Sequence, residues 1–174
     1  MKLAEALSIR SDMKQRIHEL ENRLHRCVIV QVGDNPPEDP DELISAIDRS
    51  YSELQHLIEA IDLTNSQTFL EGRNLSSWLS QRNICLEHRN ILLKIIEQAA
   101  TGQRRVSRNE VRFISTIKVA RLQKQADDMA KMFREIDLKL QSANWSVELL
   151  PAAGVETEKG VISPPGEDAS EENG

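Results

Sequence analysis

Residues 119–143 read VARLQKQADDMAKMFREIDLKLQSA, and their spacing decides the fold. Val119, Leu122, Ala126, Met129, Phe133, Ile136, Leu140 and Ala143 recur at alternating steps of three and four. A chain coiled at 3.6 residues per turn gathers such residues onto one stripe, so the pattern predicts a helix from about Ile117 to Ala143 with a seam for another helix. Upstream the same alternation returns. Leu3, Ala6, Arg10, Met13, Ile17, Leu20, Leu24 and Cys27 predict a first helix over Lys2 to Arg26, with Arg10 as the one charge on its seam. Ile44, Ile47, Tyr51, Leu54, Ile58 and Ile61 predict a second, fading near Thr64 and Asn65. Its start has Asp39 as cap, Pro40 at the first helical position, and Asp41 and Glu42 where the helix dipole favours acids.

The third predicted helix starts at an Asn74 or Ser76 cap, continues to about Ala100, and is closed by Gly102. Its apolar residues fall on three lines rather than one. Leu75, Leu79, Leu86 and Leu93 make the first, Trp78, Cys85, Leu92 and Ile96 the second, and Ile84, Ile91 and Ile95 the third. A helix apolar around most of its circumference belongs at the centre of a domain or in a subunit interface.

Between the helices the period changes. Val28–Val32 and Val111–Thr116 alternate as strands do, and the two are expected to pair as a small clip at one end. Gly33–Pro37 and Glu71–Gly72 read as turns, Thr101–Asn109 as a polar connection, and Asn144–Leu149 as a departure from the last helix that adds a short strand. The fold class is therefore all-α: four long amphipathic helices in an antiparallel, coiled-coil-like bundle, with short β segments in the connections. Residues 1–150 form the bundle domain. Residues 151–174, rich in Pro, Gly, Ser and Glu, read as a disordered acidic tail.

The net charge of −6 sits mostly in that tail, which has six acids against one lysine. The first 150 residues are close to neutral, so no overall basic field points to nucleic acid. Cys27 and Cys85 read as buried free thiols, and Met1–Ala6 lacks the apolar run of a signal peptide. Together these point to a cytoplasmic protein with no transmembrane segment.

No nucleophile elbow, zinc-protease motif or phosphate-binding glycine loop is present, so the reading leans away from an enzyme and expects no cofactor and no metal. Glu53 and His56 have metal-ligand spacing, but they lie off the second seam and are expected to face solvent. Arg104, Arg105, Arg108 and Arg112 form the best candidate for binding an anionic ligand or RNA. Arg10, Arg82 and Arg89 lie on or near seams and would need carboxylate partners, which suggests a buried polar layer.

Five segments together resemble the septicolysin-like family of small, largely uncharacterised bacterial helical proteins. They are Met1–Leu7, Glu38–Asp39–Pro40, Thr64–Asn65, Arg108–Phe113 and Asn144–Trp145, in the same order and at similar spacing over residues 1–150. The resemblance implies a helical, coiled-coil-rich fold, and the family name implies a membrane-active cytolysin. Asn83 departs from the pattern, where an acid is expected after Arg82, and this argues against an Arg–acid pair at that place. From the residues themselves the leading reading is a homo-oligomeric scaffold or binding module, because the third helix offers more apolar surface than one neighbour can cover.

Overall fold

The computed structural model describes residues 1–101 and 114–152. The chain folds as α1 (Leu3–His25), α2 (Pro40–Gln67), β1 (Phe69–Leu70), β2 (Arg73–Asn74), α3 (Leu75–Thr101) and α4 (Val119–Ser146). At 23 to 28 residues each, the helices are about 35–42 Å long. The expected all-α architecture of four long helices is what the chain adopts.

Local chemistry sets the helix ends. The Asp39 carboxylate accepts the Asp41 backbone N–H at 2.8 Å, with Pro40 behind it as the first helical residue. Asn74 Oδ1 accepts the Ser77 N–H at 2.9 Å, so Asn74 rather than Ser76 caps α3. Before it, Phe69 pairs with Asn74 and Leu70 with Arg73 across a two-residue turn. Glu71 and Gly72 both take positive φ, 52° and 77°, the pattern of a type I′ hairpin turn. A glutamate is strained there; its carboxylate is held by Lys139 Nζ of α4 at 2.6 Å.

The helices pack as two antiparallel hairpins, α1 on α2 and α3 on α4, which meet at one end. At that base Leu3 and Ala6 of α1, Ile61 of α2, Leu75 and Trp78 of α3, and Leu140 and Ala143 of α4 share one core. Backbone bonds clasp it: Leu3 N–H to the Val147 carbonyl at 3.0 Å and Leu149 N–H to the Met1 carbonyl at 2.9 Å. Leu150 N–H donates to Thr64 Oγ1 at 2.9 Å, and that hydroxyl in turn donates to the Ala60 carbonyl. Away from the base, α1 and α2 enclose a separate small core of Leu20, Cys27 and Leu43. The first line of α3 records the divergence. Leu75 is fully buried at the base, whereas Leu86 further along is 40% exposed.

Several expectations are corrected. Val28–Val32 is a loop with no strand partner, and Ile114–Thr116 is not a strand; Val111–Phe113 lie outside the described residues. A strand needs a partner ladder, and these two stretches lie at the loop ends of different hairpins. The small sheet forms instead at 69–74, where the turn fixes the pairing. The last helix continues through Ser146, and only Glu148 bridges, to Lys2. On α2 the core line is Leu43, Ser50, Leu54 and Ile61, while Ile44 and Tyr51 face solvent. The expected acidic tail falls, apart from Pro151 and Ala152, outside the described residues.

Candidate functional site

The second line of α3 packs on α4. Trp78, Cys85 and Leu92 are buried, facing the buried Ala126 and Ile136 of the seam read from residues 119–143. The first line is buried at the base, exposed at Leu86 and half-buried again at Leu93. The third line is the most exposed of the three: Ile84, Ile91 and Ile95 are 64%, 57% and 40% exposed. His88 completes this face at steps of four, three and four, which is a heptad seam. Gln81 Nε2 touches Met132 Sδ of α4 at 3.7 Å, so the partly exposed Met132 borders the seam at its base end. Glu87 and Lys94 flank it on the side away from Cys85 and Leu92, both exposed and without an ion pair among the described residues.

The seam arginines behave differently from one another. Arg82 Nη1 donates to Asp137 Oδ1 of α4 at 3.1 Å, and Nη2 to Asn83 Oδ1 at 3.3 Å. Gln141 Nε2 donates to the other Asp137 oxygen at 2.7 Å, while Arg82 Nε is buried without a partner. The acid absent at position 83 is thus supplied across the hairpin by α4. Arg10 and Arg89 are half-buried with no hydrogen bond or ion pair to any described residue. Arg82 and Arg89 are also two turns apart, about 10 Å along the axis, so these two do not lie at one level of α3.

The remaining candidates are spread out. Arg104, Arg105, Arg108 and Arg112 lie outside the described residues. Glu53 and His56 are exposed, with His56 Nδ1 3.8 Å from Glu59. Between α1 and the start of α2 lies an open cleft of about 630 Å³ whose lining includes Arg16, Arg23, Arg49, Glu38 and Glu42. Arg23 forks onto Glu38 through Nε, at 3.0 Å, and Nη2. That hydrogen bonding holds the Glu38 carboxyl below, and the Arg23 guanidinium above, its ordinary range. With Asp39 and Asp41 also in the lining, four acids stand against three arginines, and the cleft has no preference for anions.

Comparison with known proteins agrees with this architecture. A family model described as a family of unknown function, DUF6847, matches residues 10–149. The chain belongs to this family. Its fold is similar to the crystal structure of a functionally unknown conserved protein from Corynebacterium diphtheriae, with a TM-score of 0.80 and 35% identity over 86% of this chain and 99% of that one. No curated protein matches the chain. The DUF6847 match ends at residue 149, close to the end of α4, and neither the family nor the solved structure brings an activity with it.

Sequence reasoning singled out the Ile84–Ile95 line but gave it no special standing among the three lines of α3. Glu87 and Lys94 passed unnoticed. Their signal is positional: once Ile84, His88, Ile91 and Ile95 are set on the seam, both charges fall on its same flank.

Proposed function

We propose that this DUF6847 protein is a non-enzymatic, self-associating helical-bundle protein that works as a scaffold or binding module. One observation carries the reading. Three isoleucines, a residue type that cores usually hold, stand on one uncovered line of α3. An apolar stripe rimmed by polar residues is the mark of an interaction surface. The comparable line on α2 alternates Ile44 and Tyr51 with Asp48 and Gln55, whereas that of α3 has His88 as its single polar member. Light scattering of the full chain at micromolar concentration should give a mass above the 19.7 kDa of one chain. Ile91→Lys, at an exposed position, should return the mass to that of a monomer with the helical signal intact. A monomer in the unaltered protein sinks the reading.

A second reading, membrane activity of the septicolysin-like kind, has one observation in its favour. Val28, Ile29, Val30 and Val32 are 61%, 87%, 40% and 102% exposed at the tip of the first hairpin. No helix among the described residues is long and apolar enough to cross a membrane, so contact at the bilayer surface through this tip is the form the reading takes. Dye-loaded vesicles test it: release that Ile29→Ser with Val32→Ser abolishes supports it, and vesicles that stay sealed over a range of lipid compositions remove it.

A further inference from the structure

We propose that α3 pairs with α3 of a second copy of this chain in antiparallel register, about a two-fold axis level with residues 89–90. This rests on the self-association proposed above and specifies its geometry.

The argument is one of flanks. With Ile84, His88, Ile91 and Ile95 as the seam, one flank holds Cys85 and Leu92, 3% and 6% exposed and packed within their own hairpin. The other flank holds Glu87 and Lys94, both exposed. A parallel two-fold exchanges the flanks. It would set Glu87 and Lys94 against the partner's Cys85 and the partner's Leu92, which α4 already covers, and neither charge would meet its opposite. An antiparallel two-fold keeps each flank on its own side. Placing Ile84 level with the partner's Ile95 brings Glu87 within two residues, about 3 Å along the axis, of the partner's Lys94. By symmetry Lys94 then meets the partner's Glu87, so one register forms two ion pairs and two isoleucine–isoleucine contacts, with two histidine–isoleucine contacts between them. His88, the polar member of the seam, lies across from the partner's Ile91. Charges flanking an apolar seam set orientation and register between helices. Sliding the copies by one heptad moves Glu87 to about 8 or about 14 Å along the axis from the partner's Lys94, according to direction. One direction sets the isoleucines against His88, Gln81 and Ser77 of the partner subunit; the other keeps Ile91 against the partner's Ile95 but leaves Ile84 opposite no residue of the partner's α3 and gives up both ion pairs.

Two measurements on the full chain test this geometry. In the first, Glu87→Lys alone sets Lys against Lys, and Lys94→Glu alone sets Glu against Glu. Each should weaken self-association by roughly tenfold, from two attractive pairs turned repulsive. The double exchange Glu87→Lys with Lys94→Glu should restore it. In the second, single cysteines are treated with a short bifunctional maleimide, with the unaltered chain, whose two cysteines are buried, as control. Ile91→Cys should link to its own copy near the axis. Ile84→Cys should not, since its copies stand about 16 Å apart along the helix, but it should link to Ile95→Cys when the two are mixed. Self-linking of Ile84→Cys means a parallel pair; it overturns this geometry and leaves self-association standing. A dimer that neither set of variants disturbs likewise overturns this geometry and leaves self-association standing; a monomer in every case overturns both.

Discussion

Helix α1 offers one apolar stripe and α2 covers it, whereas α3 offers three and α4 covers only one. The first hairpin therefore closes on itself, with Leu20, Cys27 and Leu43 enclosed at its far end and the Arg23–Glu38 fork across its mouth. What it leaves uncovered lies in the connecting loop and at scattered helix positions, Ile9, Ile44 and Tyr51. The second hairpin is equally well formed along the α3–α4 seam but presents isoleucines along the length of a helix. The difference shows that a hairpin can hide only the facing stripes of its two helices. Any further stripe needs a third body, which the base supplies over the first turns of α3, while Ile84, Ile91 and Ile95 beyond them stay exposed.

The largest test of this comparison lies at the base. Leu3→Ala removes a fully buried side chain that joins the two hairpins and should cost about 3 kcal/mol. Denaturant unfolding should stay a single transition. If hydrogen exchange shows α1 and α2 losing protection while α3 and α4 keep theirs, the hairpins are independent units and the comparison must be redrawn.

Next in size is the one seam arginine with a carboxylate partner. Asp137→Ala leaves Arg82, already with one unpartnered nitrogen, without its acid. A loss of about 1.5 kcal/mol is expected, for a charged hydrogen bond in a site about a quarter exposed. Arg89→Ala, which removes no described pair, should change stability by less, and equal losses would mean that the Asp137 contact contributes little.

Helix caps come third. Asn74→Ala should cost about 1 kcal/mol by freeing the Ser77 N–H. Asp39→Ala should cost a similar amount in the first hairpin. Thermal melts of the two variants sharpen the comparison, because matching losses show that the hairpins differ in their surfaces and not in how their helices start.

The smallest effect is a pH dependence confined to the first hairpin. Arg23 lowers the Glu38 carboxyl below its ordinary range. Its contribution is therefore complete above the ordinary glutamate value of about 4.3 and disappears as pH falls through the lower folded value. Urea midpoints measured from about pH 5 to 3 should fall less steeply in Glu38→Gln than in the unaltered chain. Identical slopes would show that the fork does not couple to folding.

How much of this was legible beforehand differs from helix to helix. The α4 seam could be read residue by residue, and so could that of α1, including Arg10 as its half-buried interruption. On α2 the reading preferred Ile44 and Tyr51 to Leu43 and Ser50. Both pairs fit a heptad, and tyrosine is the more apolar of the alternatives, yet Ser50 is buried because its hydroxyl donates to the Ala46 carbonyl at 2.9 Å. Val28–Val32 has the alternation of a strand but finds no partner, while two-residue strands at 69–74 are too short to leave a periodic signal. For the candidate site, the three isoleucines were visible as a line. Which of the three lines would stay uncovered, and that Glu87 and Lys94 border it, was not.

The amino-acid order by itself determined that four helices form, where most of them begin, and that α3 has more apolar surface than one partner can take. Those outcomes depend on neighbours within a few turns, through caps, turn residues and stripe spacing. Only the tertiary structure decided which stripe each helix turns inward, that Arg82 finds Asp137, and that the two hairpins join at one end. These depend on residues far apart in the chain being brought together, and local spacing holds no information about that.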